Sequence, residues 1–184
     1  MIWNLFKRKK ANQVLVGQQY ERITAAARSP VFYETMDVPD TVMGRFEMIT
    51  VHLLLYLRRT GTAGHASAGI AQEVVDAFFE DVDHSIRELG IGDMGVPKRM
   101  KKLARMFYGR VKSYGEALNE GDRTVLAEAL RRNIHPDRLD SAPSMQALAD
   151  WMLQTSQALK DTPEDVLAAG RLSFPAVDPQ EVKP

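Results

Sequence analysis

The sequence predicts an all-α fold, a single compact domain of about seven helices. Three observations lead there. Apolar residues recur at three- and four-residue spacing through most of the chain. Leu, Ala, Met, Glu, Lys and Arg are favoured over the β-branched residues that enrich strands. Proline, glycine and capping residues fall where such segments would end. The 184 residues suffice for one ordinary domain, which at this size buries roughly 70% of the surface its unfolded chain exposes. No internal repeat or change of composition marks a second one. With no cysteine, disulfides and cysteine-bound zinc are excluded, so stability must come from packing.

The first helical pattern starts at Val16, runs through Tyr20, Ile23 and Ala27, and ends before Ser29-Pro30, because a proline disfavours helix in the residue before it. Residues 31–39 read as a connector. Asp40 or Thr41 then caps a second helix reaching Arg59, with Val42, Phe46, Ile49, Leu53, Tyr56 and Leu57 on one face. Met48, Val51 and Leu55 make its other side apolar as well, which predicts the central helix of the domain. Ser67 caps a third helix ending at Leu89, with Gly90 as its left-handed terminator. Val75, Phe78, Phe79, Val82, Ile86 and Leu89 fall on one side of it; Glu73, Asp76, Glu80 and Asp83 fall opposite, with Arg87 beside them. After the Gly-rich turn 90–95, Pro97 opens a fourth helix. Its apolar stripe is Met100, Leu103, Phe107, Val111, Tyr114 and Leu118, and its back carries Lys98, Lys101, Lys102, Arg105 and Lys112. Shorter helices are expected over 122–133 and 144–159, and a last one opens with Thr162-Pro163-Glu164-Asp165 in the manner of a capping box. The chain thus divides into an apolar and basic segment 1–11, a helical body 12–170, and a tail 171–184 expected to be disordered.

Charge and hydropathy narrow the function classes. Equal numbers of acids and bases leave no net field to draw in nucleic acid, so DNA is not expected as a partner. No stretch reaches the 18 or more apolar residues that a membrane-spanning helix needs. At the N-terminus Trp3, Leu5 and Phe6 precede Lys7, Arg8, Lys9 and Lys10, the reverse of the charge order in a secretory signal. That order suits weak, peripheral contact with a membrane surface, each base contributing about 1 kcal/mol against anionic lipid. A cytoplasmic protein is expected, with that contact on the inner face of a bacterial inner membrane.

Specific catalytic motifs are absent: no Gly-rich strand-to-helix phosphate loop, no G-x-S-x-G elbow, no H-E-x-x-H pair. The glycines at 90–95 follow a helix, whereas a dinucleotide fingerprint follows a strand. Asp81, His84 and Glu88 share a flank of the third helix, as one half of a carboxylate-bridged metal site would, but no second acid-x-x-His helix completes it. No metal and no cofactor are expected. On the second helix Arg45 and His52 stand seven apart and point the same way, which suits either a hydrogen-bonded interior pair or a binding role. A buried arginine needs an acid beside it, and Asp40 is one candidate. The third and fourth helices each turn an apolar stripe inward, so their oppositely charged backs are expected to face a partner or solvent. Lys98 to Lys112 holds seven bases and no acid, a face that suits an acidic protein segment, anionic lipid or RNA.

A longer pattern runs through these elements: Pro30-Val31-Phe32-Tyr33, Val38-Pro39-Asp40-Thr41, Gly44-Arg45-Phe46-Glu47, His52, Asp81-Val82-Asp83, Arg87-Glu88-Leu89-Gly90-Ile91-Gly92-Asp93 and Phe107-Tyr108-Gly109-Arg110. It resembles the ubiquinol-cytochrome c chaperone family over residues 18–140, with Met43 departing from it where a polar residue is expected. The resemblance implies a non-enzymatic assembly factor that receives newly made cytochrome b, near the ribosome, and helps deliver it into ubiquinol-cytochrome c reductase, respiratory complex III. In mitochondria such proteins act with a small helical partner; the resemblance implies a bacterial counterpart here. The surface expected to hold the client comprises Asp81, Asp83, Arg87, Glu88 and Asp93 with Lys98, Lys101, Phe107, Tyr108 and Arg110. Two other classes fit the residues less closely: a metal-dependent or ubiquinone-related helical-bundle enzyme, and an RNA- or ribosome-binding module using the basic helix 98–112.

Overall fold

The computed structural model describes residues 2–62 and 65–177, with side chains from residue 12 onward except at 65 and 66. Eight α-helices and one 3-10 turn make up the described regular structure: α1 (Ile2–Ala27), α2 (Pro30–Glu34), α3 (Val42–Thr60), α4 (His65–Glu88), α5 (Val96–Glu120), α6 (Arg123–Ile134), α7 (Gln146–Lys160) and α8 (Glu164–Ala168). The all-α expectation holds. The connector expected at 31–39 contains α2, whose Pro30 occupies the first turn and whose Val31 and Phe32 are buried.

Helix α3 is the hub, packing against α1, α4, α5, α6 and α7. Its sequence explains why: Met48, Val51 and the run Leu53 to Tyr56 are all buried, so the helix presents apolar surface around nearly its whole girth. Each such aliphatic side chain contributes on the order of 1.5–3 kcal/mol. Thr41 starts the helix by accepting the amide of Gly44 at 3.1 Å. Gly44 has no room for a side chain, since a Cβ there would lie 1.8 Å from the Pro39 carbonyl oxygen. Between α4 and α5 the chain turns through Gly90 at φ 76°, and α5 ends at Gly121 at φ 68°. Asp122 then caps α6, accepting the amides of Thr124 and Val125 at 2.8 and 3.0 Å.

Two expectations need correction at the C-terminal end. Thr162 does not cap α8; Pro163 holds the cap position, and the Thr162 carbonyl instead accepts Arg59 Nη2 at 2.6 Å. The tail is not disordered from residue 171. Leu172 is fully buried, and its amide and carbonyl bond to Gln19 Oε1 and Nε2 at 3.0 and 3.1 Å. The Phe174 ring then meets His52 with centroids 4.7 Å apart. Ordered structure therefore continues through residue 177, held by contacts distant in sequence.

Candidate functional site

A groove of about 1140 Å³ opens where four separate segments meet: the first turn of α3, the last turn of α4, the first half of α5, and the end of α6 with the loop after it. The first wall comes from Val42 and Met43, which the Thr41 cap leaves facing outward, 65% and 42% exposed. Ile86 and Leu89 line it from α4, and Leu103 and Met106 from α5. Leu103 and Met106, three apart and half-buried, form a ridge on α5, while Ile86 is buried and Leu89, just past the end of α4, is exposed. Leu89 does not join the rest of its stripe in the core: it lies in the turn just past the end of α4 and is 61% exposed.

Charge surrounds this apolar lining. Arg99 and Lys102 stand on α5, Arg132 on α6 and Arg138 on the following loop, against one unpaired lining acid, Asp137. Deeper in, Arg110 Nε donates to Glu47 Oε2 at 2.5 Å and Nη2 donates to Oε1, a two-pronged ion pair tying α5 to α3. Burial pushes the Glu47 carboxyl above its ordinary pKa, and the Arg110 guanidinium opposes that shift. At the far edge His135 ends α6. Its Nε2 donates to the Asp37 carbonyl at 3.0 Å, which leaves Nδ1 to accept Arg138 Nε at 3.4 Å. Burial lowers the His135 pKa, and the Arg138 charge adds to that, so the neutral ring is favoured. Asp37 itself sits at φ 58°, a left-handed conformation that Asp tolerates better than branched residues.

The expected client surface divides in two. Arg87 clasps Asp83 at 2.6 Å and Asp93 at 2.7 Å, pinning the Gly-rich turn back onto α4. Asp81 accepts the Tyr20 hydroxyl at 2.7 Å and so faces α1, while Glu88 pairs with His84 at 3.1 Å. Asp81, His84 and Glu88 therefore do not act together, and no three potential metal ligands converge among the described residues. Lys98 and Lys101 stand exposed on the outer face of α5, and Tyr108 is exposed with its ring stacked on Phe79. Phe107 does not belong to that surface, and Arg110 lies at the foot of the groove rather than on the outer face of α5. Phe107 is fully buried against Phe78 and Phe79, as its place in the apolar stripe of α5 requires, and Arg110 is spent on Glu47. The charged backs of the two helices stay open: Asp76, Glu80, Lys101, Lys102 and Arg105 are all exposed.

Arg45 and His52 part company. Arg45 is exposed and bonded to Asp40 at 2.8 Å, the acid expected for it. His52 is buried, its Nδ1 donating to the Met48 carbonyl at 2.8 Å within a box of Phe32, Trp151 and Phe174. Burial lowers its pKa to about 4, so the ring is neutral at physiological pH. That surrounding suits a core residue rather than a binding one. The side chains of Trp3, Phe6, Lys7, Arg8, Lys9 and Lys10, the expected membrane contact, lie outside the described residues. No helix among the described residues is long and apolar enough to cross a membrane.

Sequence reasoning singles out Arg110 for binding and places Val42, Ile86, Leu89 and Leu103 on apolar faces, but does not bring them into one groove. Met43, an apolar residue at an expected polar position, marks the wall of the groove.

Fold and groove together define a helical scaffold with an open, apolar-lined and basic-rimmed cleft. Comparison with known proteins gives the family. The model of the ubiquinol-cytochrome C chaperone family matches residues 34–174, so the chain belongs to that family. The match reaches further towards the C-terminus than the motif resemblance over 18–140, in keeping with the ordered segment around Leu172 and Phe174. Among relatives, ubiquinol-cytochrome-c reductase complex assembly factor 1 of Xenopus laevis is 27% identical over 142 residues, covering 77% of this chain and 70% of that protein. Its Homo sapiens counterpart is 25% identical over 144 residues, covering 78% of this chain and 48% of that one, so the match spans about half the human protein. A crystal structure of the Cbp3 homolog from Brucella abortus superposes with a TM-score of 0.86 at 51% identity, covering all of both chains.

Proposed function

We propose that this protein is a non-enzymatic chaperone that holds newly made cytochrome b and passes it into ubiquinol-cytochrome c reductase. Membership of the assembly-chaperone family supports the pathway. The observation that carries the holding role is the groove, where Val42, Met43 and Leu89 stay exposed beside a basic rim. Exposed apolar side chains gathered in one concave place mark a protein-binding surface. The client contact extends over the adjoining hairpin tip, with Glu88, Asp93, Lys98, Lys101 and Tyr108 as its margin. Segment 1–11 adds weak contact with the inner face of the bacterial inner membrane, where the client emerges.

The test is deletion of the gene followed by measurement of assembled complex III and of cytochrome b. Loss of the complex with turnover of cytochrome b is expected, restored by the wild-type gene. A photo-crosslinker at Met43 or Leu89 should then capture cytochrome b. Normal assembly in the deletion strain refutes the proposal.

A further inference from the structure

We infer that the groove receives an acidic amphipathic helix of the client, its apolar stripe laid on the floor and its carboxylates reaching the basic rim. The inference rests on the groove being the client site and adds the chemistry of what enters it.

Size favours a polypeptide segment. At about 1140 Å³ the cleft exceeds the roughly 300–1,000 Å³ typical of small-molecule pockets, and it is partly open to solvent. Shape favours a helix. Leu103 and Met106 on one wall form a short ridge at helical spacing and Leu89 stands exposed on the other, and such a surface seats between the i, i+3 and i+4 side chains of an incoming helix. Charge sets its sign. Arg99 and Lys102 lie on α5, while Arg132 and Arg138 lie across the cleft on α6 and its loop. None of the four is ion-paired to a carboxylate in the described structure, whereas Arg110 below them is already neutralised by Glu47. Cations spread along both rims match several carboxylates distributed on a helix flank. A lipid headgroup concentrates its charge at one point and leaves most of that rim unused.

The probe is a fluorescein-labelled synthetic helix of Leu, Ala and Glu with one apolar stripe, compared with a twin carrying Gln for Glu and with vesicles of phosphatidylglycerol and phosphatidylcholine. Fluorescence anisotropy of the full chain should show the Glu peptide binding, with affinity falling as salt rises. The Gln twin should bind about tenfold more weakly. Arg99→Glu with Lys102→Glu should weaken the Glu peptide by about tenfold or more, and so should Leu89→Ser through lost apolar contact. These three residues are exposed, so thermal melts of the variants should match wild type and separate lost binding from lost folding. Equal binding of the two peptides overturns the inference, as does binding to vesicles but not to peptide, or indifference to the variants. In cells, the charge-reversed gene replaces the deleted one. If deletion removes complex III and the reversed gene restores it fully, the inference fails while the chaperone role stands. If deletion itself leaves complex III intact, the role fails instead.

Discussion

Replacing Arg110 by Met tests the ion pair beneath the groove. The guanidinium meets both carboxylate oxygens of Glu47 and also donates to the Met106 carbonyl at 3.2 Å. The two side chains are only 8% and 3% exposed, so water cannot take over when one of them leaves. Methionine fills much of the volume and supplies no charge, which strands the Glu47 carboxylate in an apolar surrounding. Breaking a buried pair in this way costs about 3–5 kcal/mol, a large part of the roughly 5–15 kcal/mol that stabilises a typical domain. For a chain of this length that lowers the melting midpoint by about 6–20 °C, read by circular dichroism. Adding Glu47→Leu removes the stranded charge as well and should recover most of the loss, since a buried pair exchanged for apolar side chains is often neutral. The pH dependence supplies a second check. In Arg110→Met the Glu47 carboxyl, already raised by burial, loses the cation that opposes the shift. Its folded pKa then lies well above its unfolded one, so the native state takes up the proton more readily and the variant closes on wild type as pH falls through that folded value. A single variant that loses under about 1 kcal/mol, or a double as unstable as the single, refutes the reasoning.

Three further outcomes are expected. His52 has a folded pKa of about 4 against the ordinary 6.5, so its contribution is intact above about pH 6.5 and is lost as pH falls towards 4, by about 3 kcal/mol in total; urea titrations of wild type and His52→Phe should differ in slope across that window and nowhere above it. Gly44→Ala puts a methyl 1.8 Å from the Pro39 oxygen and should cost about 1–3 kcal/mol while displacing the Thr41 cap, seen as faster hydrogen exchange at the start of α3. Ending the chain at Gly170 uncovers the Leu172 site and strands the buried Gln19 amide, a loss of about 3 kcal/mol in urea unfolding; an unchanged midpoint would mean that the C-terminal segment adds nothing to the fold.

Features decided within a few residues were legible in the sequence. Ser29-Pro30, Thr41 and Gly90 stop, cap or turn the chain through local steric and hydrogen-bonding effects, and the all-round apolar pattern of α3 places it at the centre. What failed was whatever depends on distant segments. Leu172 reads as tail because Gln19, its partner, lies 153 residues away. Leu89 fits the apolar stripe of α4, yet the helix ends at Glu88 and leaves it in the turn, exposed. Phe107 and Arg110 looked available because their motif lies on a strongly basic helix. Their own angular positions, towards Phe78 and Glu47, decide otherwise.

The groove shares its parts with the core, and this limits how it can work. Its first wall is the opening turn of α3, and its deepest pair, Glu47 with Arg110, joins α3 to α5. Met48 and the Leu53 to Tyr56 run on the same helix are buried in the domain core, so α3 cannot slide or tilt without disturbing that packing. The rim is different. Arg99, Lys102 and Arg132 are long exposed side chains without a fixed partner in the described structure, free to change rotamer at little cost. In the proposed role, a rigid apolar floor under an adaptable charged rim would bind a class of helices rather than one sequence, because shape demands only a stripe and charge demands only acids near it. Release of such a client would need no hinge within the domain. Burial of the client's apolar stripe elsewhere, in the bilayer or against another subunit, removes the floor contact, and the exposed ion pairs that remain are each worth less than about 1 kcal/mol.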